Sequence, residues 1–304
     1  MKIEIFKPFG EAFDLTKKIL FEPFDLRKWC VIGFAAFLAG NFGGISFRFP
    51  SSFGNEHADR AKYFVRPDLH QWQPWLPFVI IVFAATVLAV VLVMIWVTSR
   101  GRFIFTDCIV RNRAAIVGPW REYRKEGDSY FWFQIAIMFF SVILIAVAAM
   151  VLVSTGFFAR PSRATSNASF IILIPLVLFW IVFVIALALI THFMVPVMYR
   201  QRCQASEALR VVLRLISENV GVFILFGLFA IVLFMAALMI GLLAMCATCC
   251  LAALPYIGTV ILLPVYVCLR AFSLFFLRQF GAEYDVWAML ATSERPAVPP
   301  PLPV

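Results

Sequence analysis

The sequence predicts an all-α fold: a polytopic membrane bundle of six transmembrane helices. Two observations of composition and one of pattern point there. Of 304 residues, 63% are hydrophobic and only 14% are charged, whereas a soluble domain carries about 25% charged residues. The mean hydropathy is +0.93. The apolar residues also gather into six runs, and a helix needs roughly 20 of them to cross the hydrocarbon layer. The spacing predicts spans at about 29–47, 77–98, 130–157, 169–197, 220–251 and 254–277, within a transmembrane domain of 29–281.

Residues 1–28 are charged throughout and hold no apolar signal-peptide core. They read as an N-terminal amphipathic interfacial helix. Phe9, Ala12, Phe13, Thr16, Ile19 and Leu20 repeat at helical spacing on one face, with Glu11, Asp14, Lys17 and Lys18 on the other. Pro23 ends this helix, and Asp25 is placed to cap the next. Span one finishes in AGNFGG. Residues 48–74 form the largest outer loop, where His57 and His70 with Glu56 or Asp59 match no trusted metal spacing.

The stretch 99–131 separates spans two and three. It holds Arg100, Arg102, Arg111, Arg113, Arg121, Arg124 and Lys125, with Asp107, Glu122, Glu126 and Asp128 among them. Gly118-Pro119 reads as a break followed by a short interfacial helix. Gly127 is placed to close that helix, and Asp128 or Ser129 to cap the following one. A shorter basic linker runs from 198 to 219. Ser206 is a candidate N-cap, and Leu209, Val212, Leu213 and Ile216 share a face of SEALRVVLRLISEN. Pro175 and Pro196 can kink span four, and Pro264 span six. Arg270 lies near the inner end of span six, within snorkelling reach of the interface. Residues 282–304 end in ERPAVPPPLPV and read as a disordered Pro-rich tail.

Counting Lys and Arg by side gives 20 on the side of the termini and 6 on the other. Both termini are therefore expected in the cytoplasm, with the chain multi-pass in the cell's inner (cytoplasmic) membrane. The net charge of +9 follows from these flanks. No separate basic module suggests nucleic acid.

The two basic linkers align at an offset of 89, with Arg111 on Arg200, Arg113 on Arg202 and Arg121 on Arg210. Each precedes a pair of spans, as does the N-terminal helix. The chain thus reads as three repeats of interfacial helix plus helical hairpin, around a pseudo-threefold axis with a basic collar.

The stretches LFEPFDLRKWCVIGFAAFLAGNFGG (20–44) and SRGRFIFTDCIVRNRA with PWREYRKEGDSYFWF resemble an uncharacterised family of bacterial and archaeal six-span membrane proteins. The Ser-Arg-Gly-Arg-Phe turn after span two is part of that resemblance. More distantly the chain is similar to membrane domains fused to some glycerophosphodiester phosphodiesterases. The resemblance implies six spans, no known activity and no site residues.

No catalytic site is expected. The spans hold no Asp or Glu, and the chain has no GxSxG, HExxH or phosphate-binding Gly-rich loop. Cys246, Cys249 and Cys250 lack the second ligand pair a metal needs, so neither metal nor cofactor is expected. His192 reads as a packing residue. The expected function is non-catalytic: Arg111, Arg113, Arg121, Arg200, Arg202, Arg210 and Arg214 form a cytoplasmic collar that holds anionic phospholipid headgroups or a partner. Arginines that serve only as topology signals are the simpler reading. A channel or facilitator for a small solute is the alternative.

Overall fold

A computed structural model of the chain describes residues 4, 6–40, 75–154, 163–248 and 254–288. Among the described residues, all regular structure is helical. Four helices are long: α3 (Leu76–Val110), α5 (Arg124–Ser154), α6 (Arg163–Gln201) and α8 (Val220–Ala247). Six are shorter: α1 (Phe6–Leu20), α2 (Leu26–Leu38), α4 (Val117–Glu122), α7 (Ala205–Glu218), α9 (Pro255–Ile261) and α10 (Leu263–Arg278).

The four long helices contain the segments long and apolar enough to cross a membrane: Pro77–Val110, Arg124–Met150, Ile174–Gln201 and Val220–Ala247. This is a membrane protein. At 1.5 Å per residue α3 is about 52 Å long, well beyond a hydrocarbon layer of about 30 Å. Its basic end therefore projects out of the apolar layer and carries the charged residues. The Ser-Arg-Gly-Arg-Phe segment is not a turn after span two. It lies inside α3, which stays helical to Val110.

The expected first and sixth spans look different. α2 stops after 13 residues, and Gly40 takes a left-handed φ of +91°. The rest of that expected span, 41–47, lies outside the described residues. α2 runs antiparallel to the basic half of α3. Lys28 Nζ donates to Asn112 Oδ1 at 2.8 Å near one end, and Gly40 sits beside Thr98 near the other. Gly101 permits this contact, because a Cβ there would lie 2.3 Å from the carbonyl carbon and oxygen of Leu38. The sixth run divides into α9 and α10 at Leu262, with Pro264 in the first turn of α10. α10 is a core helix: Val267, Ala271, Phe272, Leu274 and Phe276 are all buried. An apolar run shows only that the segment avoids water, and here other helices rather than lipid cover it.

The short amphipathic helices each lie on a longer helix. α4 packs on α3, α7 on α6, and α1 on α10. The pattern of α1 predicts a helix on the membrane surface. Instead Ala12, Thr16, Ile19 and Leu20 are buried in the protein, and Phe9 meets Phe229 and Phe272 edge-on at 5.8 and 6.2 Å. Phe13, placed on the apolar face by its spacing, is exposed. Asp25 caps α2 as expected, its Oδ1 accepting from Arg27 N at 2.9 Å.

α7 begins at Ala205, one residue before the expected cap. Ala205 N donates to Ser129 Oγ of α5 at 2.9 Å, and Gln204 N to Glu207 Oε2 at 3.3 Å. Its buried face is Ala208, Val212 and Leu215. Leu213 points outward, 44% exposed, because the covered stripe lies one position away from the larger apolar residues.

The core sits at the basic end. Phe193, Phe226, Phe272 and Phe276 form its aromatic centre, with Phe226 stacked on Phe272 at 5.0 Å and 4.4 Å from Phe276. The chain stays packed after α10. Val286 is buried, Trp287 stacks on Phe275 at 4.5 Å, and Arg278 Nε pairs with Asp285 at 3.2 Å. The expected disordered tail thus does not begin at 282; residues 289–304 lie outside the described residues.

Candidate functional site

The residues singled out in the basic linkers meet where α3 and α6 end. Asp107 lies in the last turn of α3 and is fully buried. Its spacing of four from Arg111 puts both on one helix face, and Arg111 Nε reaches Asp107 Oδ1 at 3.1 Å. Tyr199 Oη of α6 donates to the same oxygen at 3.0 Å. Arg113, just past α3, donates from Nε to Oδ2 at 2.9 Å. A buried carboxylate is tolerated when its lone pairs are satisfied in this way.

Glu122, at the end of α4, is the second hub. Arg111 Nη2 donates to it at 2.8 Å, Arg113 lies 3.6 Å away, and Arg202 Nη2 also donates to it. Arg202 follows α6 with a left-handed φ of 53°, a counterpart to Asn112 after α3 at 48°. That backbone turns the guanidinium back over the Tyr123 ring, 4.0 Å from its centroid, and within 3.5 Å of Glu126. Tyr123 in turn stacks on Tyr199 at 4.8 Å. Three arginines and three acids thus form one balanced network joining α3, α4, α5 and α6.

The electrostatics agree. Burial alone would raise the Glu122 carboxyl, but hydrogen bonds from Arg202 and Arg111 outweigh it and hold its pKa below the usual value. Burial disfavours the Arg111 charge, yet Asp107, Tyr123, Tyr199 and Glu122 together more than offset it and raise that pKa. Burial raises the Tyr123 phenol.

Two further pairs clamp α3 to α5. Arg100 binds Asp128 Oδ1 through Nη2 at 2.6 Å and lies over the rings of Trp96 and Trp120 at 4.3 and 5.3 Å. Arg102 Nη1 donates to Tyr130 Oη. Asp128 therefore holds an arginine and does not cap a helix. Gly127 closes no helix: it lies inside α5, where a Cβ would come within 2.8 Å of Arg100 Cγ.

Of the seven collar arginines, Arg111, Arg113 and Arg202 come together in the network. Arg200 is half-buried at the end of α6, its Nε without a hydrogen-bond partner among the described residues. Arg121 on α4 and Arg210 on α7 are exposed and make no ion pair with a described residue. Arg214 is exposed and pairs with Glu218 at 2.8 Å. The basic residues stand out in the sequence; their acceptors, Asp107, Glu122 and Tyr199, do not. Asp107 four residues before Arg111 is the one local signal. Cys246 is exposed; Cys249, Cys250, His57 and His70 lie outside the described residues.

The chain belongs to a family of unknown function (DUF7544), whose model matches residues 4–277. No curated protein matches the chain, and no solved structure matches it.

Proposed function

We propose that this member of a family of unknown function is a non-catalytic, multi-pass protein of the cell's inner membrane whose basic end holds anionic phospholipid. In this reading the basic end and both termini face the cytoplasm, as the 20-to-6 division of Lys and Arg favours. One observation carries the proposal. Arg121 and Arg210, which align in the sequences of the two linkers, stand exposed and unpaired among the described residues beside the ends of the apolar helices. Basic side chains near an anionic leaflet each contribute about 1 kcal/mol of attraction. Arg111, Arg113 and Arg202 shape the surface that presents them, their charge already balanced by Asp107, Glu122 and Glu126.

The same reading treats the chain as three units of short helix plus helical pair. Two features support it: α4, α7 and α1 each lie on the helix ending a unit, with α1 closing the ring on α10, and α3 and α6 both end in a left-handed non-glycine residue. The test is native mass spectrometry of the gently solubilised protein under controlled delipidation. Arg121→Gln with Arg210→Gln should lose a retained class of anionic lipid. Unchanged retention would leave these arginines as topology signals. For orientation, a cysteine at Lys125 should label only from the cytoplasmic side; labelling from outside would reverse the placement.

A further inference from the structure

A cavity of about 390 Å³ opens between α2, α3, α6 and α10, away from the collar network. Two arginines line it, Arg102 and Arg270, and no acid does among the described residues. Among the described residues, both are held only by neutral groups. Arg102 Nη1 donates to Tyr130 Oη. Arg270 donates from Nε and Nη2 to Thr106 Oγ1, at 3.2 and 2.9 Å, and from Nη1 to the His192 carbonyl at 3.3 Å. Thr106 Oγ1 donates to the Arg102 carbonyl at 2.8 Å, so the one hydroxyl ties the two arginines to the same turn of α3.

The contrast with the rest of the basic end is direct. Arg100, Arg111, Arg113 and Arg202 each have a carboxylate; Arg102 and Arg270 have none among the described residues. Two like charges facing one cavity are costly unless a counter-charge enters it. A guanidinium offers a planar fork of donors that fits phosphate oxygens.

The cavity also sits where the three units meet. α3, α6 and α10 contribute Arg102, His192 and Arg270. Arg102 and His192 are 90 residues apart, as are Asn112 and Arg202, the left-handed residues after α3 and α6. By this spacing, one residue longer than the sequence alignment of the linkers, they occupy equivalent places.

A second, apolar groove of about 560 Å³ adjoins it, lined by Ile185, Phe226, Ile231 and Phe272. Ala188, His192 and Leu269 border both spaces. The groove fits an acyl chain beside a cationic pocket.

We propose that Arg102 and Arg270 bind the phosphate group of a net-anionic glycerophospholipid, with one acyl chain in the groove between α6 and α8. With two arginines and no acid among the described lining residues, an amine headgroup is disfavoured. This site is separate from Arg121 and Arg210 and stands whether or not those residues touch lipid.

The test uses the full chain in mixed micelles of phosphatidylglycerol and phosphatidylethanolamine, read by native mass spectrometry. The wild type should retain one phosphatidylglycerol through delipidation. Arg102→Gln with Arg270→Gln should weaken that retention at least roughly tenfold, the scale of lost charge-assisted hydrogen bonds. Arg102→Lys with Arg270→Lys should keep much of it. Ile231→Trp, which fills the groove and leaves both arginines, should also weaken it, so the test survives a glutamine variant that fails to fold. Retention unchanged in the Gln or Trp variants overturns the proposal. So does loss confined to Arg121→Gln with Arg210→Gln, or stabilisation by inorganic phosphate equal to that by phosphatidylglycerol.

Discussion

The two halves of α3, and likewise of α6, are built for different surroundings. In α3 the residues from Phe78 to Val93 point mostly outward, whereas Phe103, Ile104, Cys108 and Ile109 are fully buried. In α6 the exposed run includes Ile174, Phe179 and Ile185, and the buried run extends from Phe193 to Tyr199. The first half of each turns apolar side chains outward, as a lipid-facing surface does; the second lies among α2, α4, α5, α7, α10 and the arginine network. Helices in lipid gain no hydrophobic drive to associate, because acyl tails are as apolar as leucine. Specific packing and paired charge must supply cohesion, and in this protein both are concentrated at the basic end.

The sharpest way to break this comparison is at Asp107. Asp107→Asn removes the charge that Arg111 and Arg113 share and that Tyr199 bonds. Breaking a buried pair on one side costs about 3–5 kcal/mol. Thermal unfolding in detergent should show a larger fall in Tm for this variant than for any substitution at Gly101, Glu122 or Phe179. A Tm within error of wild type would mean that the network does not hold α3 to α6.

Next in size is Gly101→Ala. The added Cβ would meet the Leu38 carbonyl at 2.3 Å, which is backbone and cannot rotate away. Overpacking of this kind costs about 1–3 kcal/mol. Gly241→Ala, toward the far end of α8, would meet only a Leu262 methyl at 3.7 Å. Alanine favours a helix over glycine by up to about 1 kcal/mol, so that variant should be neutral or slightly stabilised. The same exchange should thus have opposite signs in the two halves, and equal signs would undo the distinction.

Acid should loosen the basic end first. The Glu122 pKa lies below its ordinary 4.5 in the folded protein. A carboxylate depressed by folding adds stability above its unfolded pKa, and that contribution is lost as pH falls through the folded value. Wild-type Tm should therefore drop as pH is lowered from about 4.5, while Glu122→Gln starts lower and shows less of this drop. Parallel curves would assign the acid sensitivity to another group.

Much of this was legible in the residues. The apolar runs identified α3, α5, α6 and α8 because length and hydropathy alone decide a candidate span. Asp25 was recognisable as a cap because that contact is local. What escaped depends on the surroundings. α10 belongs to an apolar run that reads as a span, yet it is sheathed by protein on the faces that carry Val267, Ala271 and Phe272. The periodicity of α1 showed an apolar face without showing that α10 and α8 cover it. The basic stretch showed its arginines, but which are neutralised follows from tertiary contacts such as Arg202 with Glu122, 80 residues apart. Arg102 and Arg270 lie 168 residues apart, and only the fold brings them to one cavity.

The smallest effect is expected in the outer half. Phe179, on α6, is 59% exposed and, among the described residues, stacks only at a distance on Phe183 of its own helix, 6.3 Å between centroids. In a bilayer its ring faces acyl chains, and Phe179→Leu replaces one apolar surface by another. Substitutions away from packed or charged features change stability by about 0.5 kcal/mol or less. Tm measured in lipid nanodiscs should stay within that range of wild type. A fall comparable to that of Gly101→Ala would show that protein covers this face of α6 in the membrane. The outer half would then owe its cohesion to packing, as the basic half does, and the division between the two would lie elsewhere on the helix.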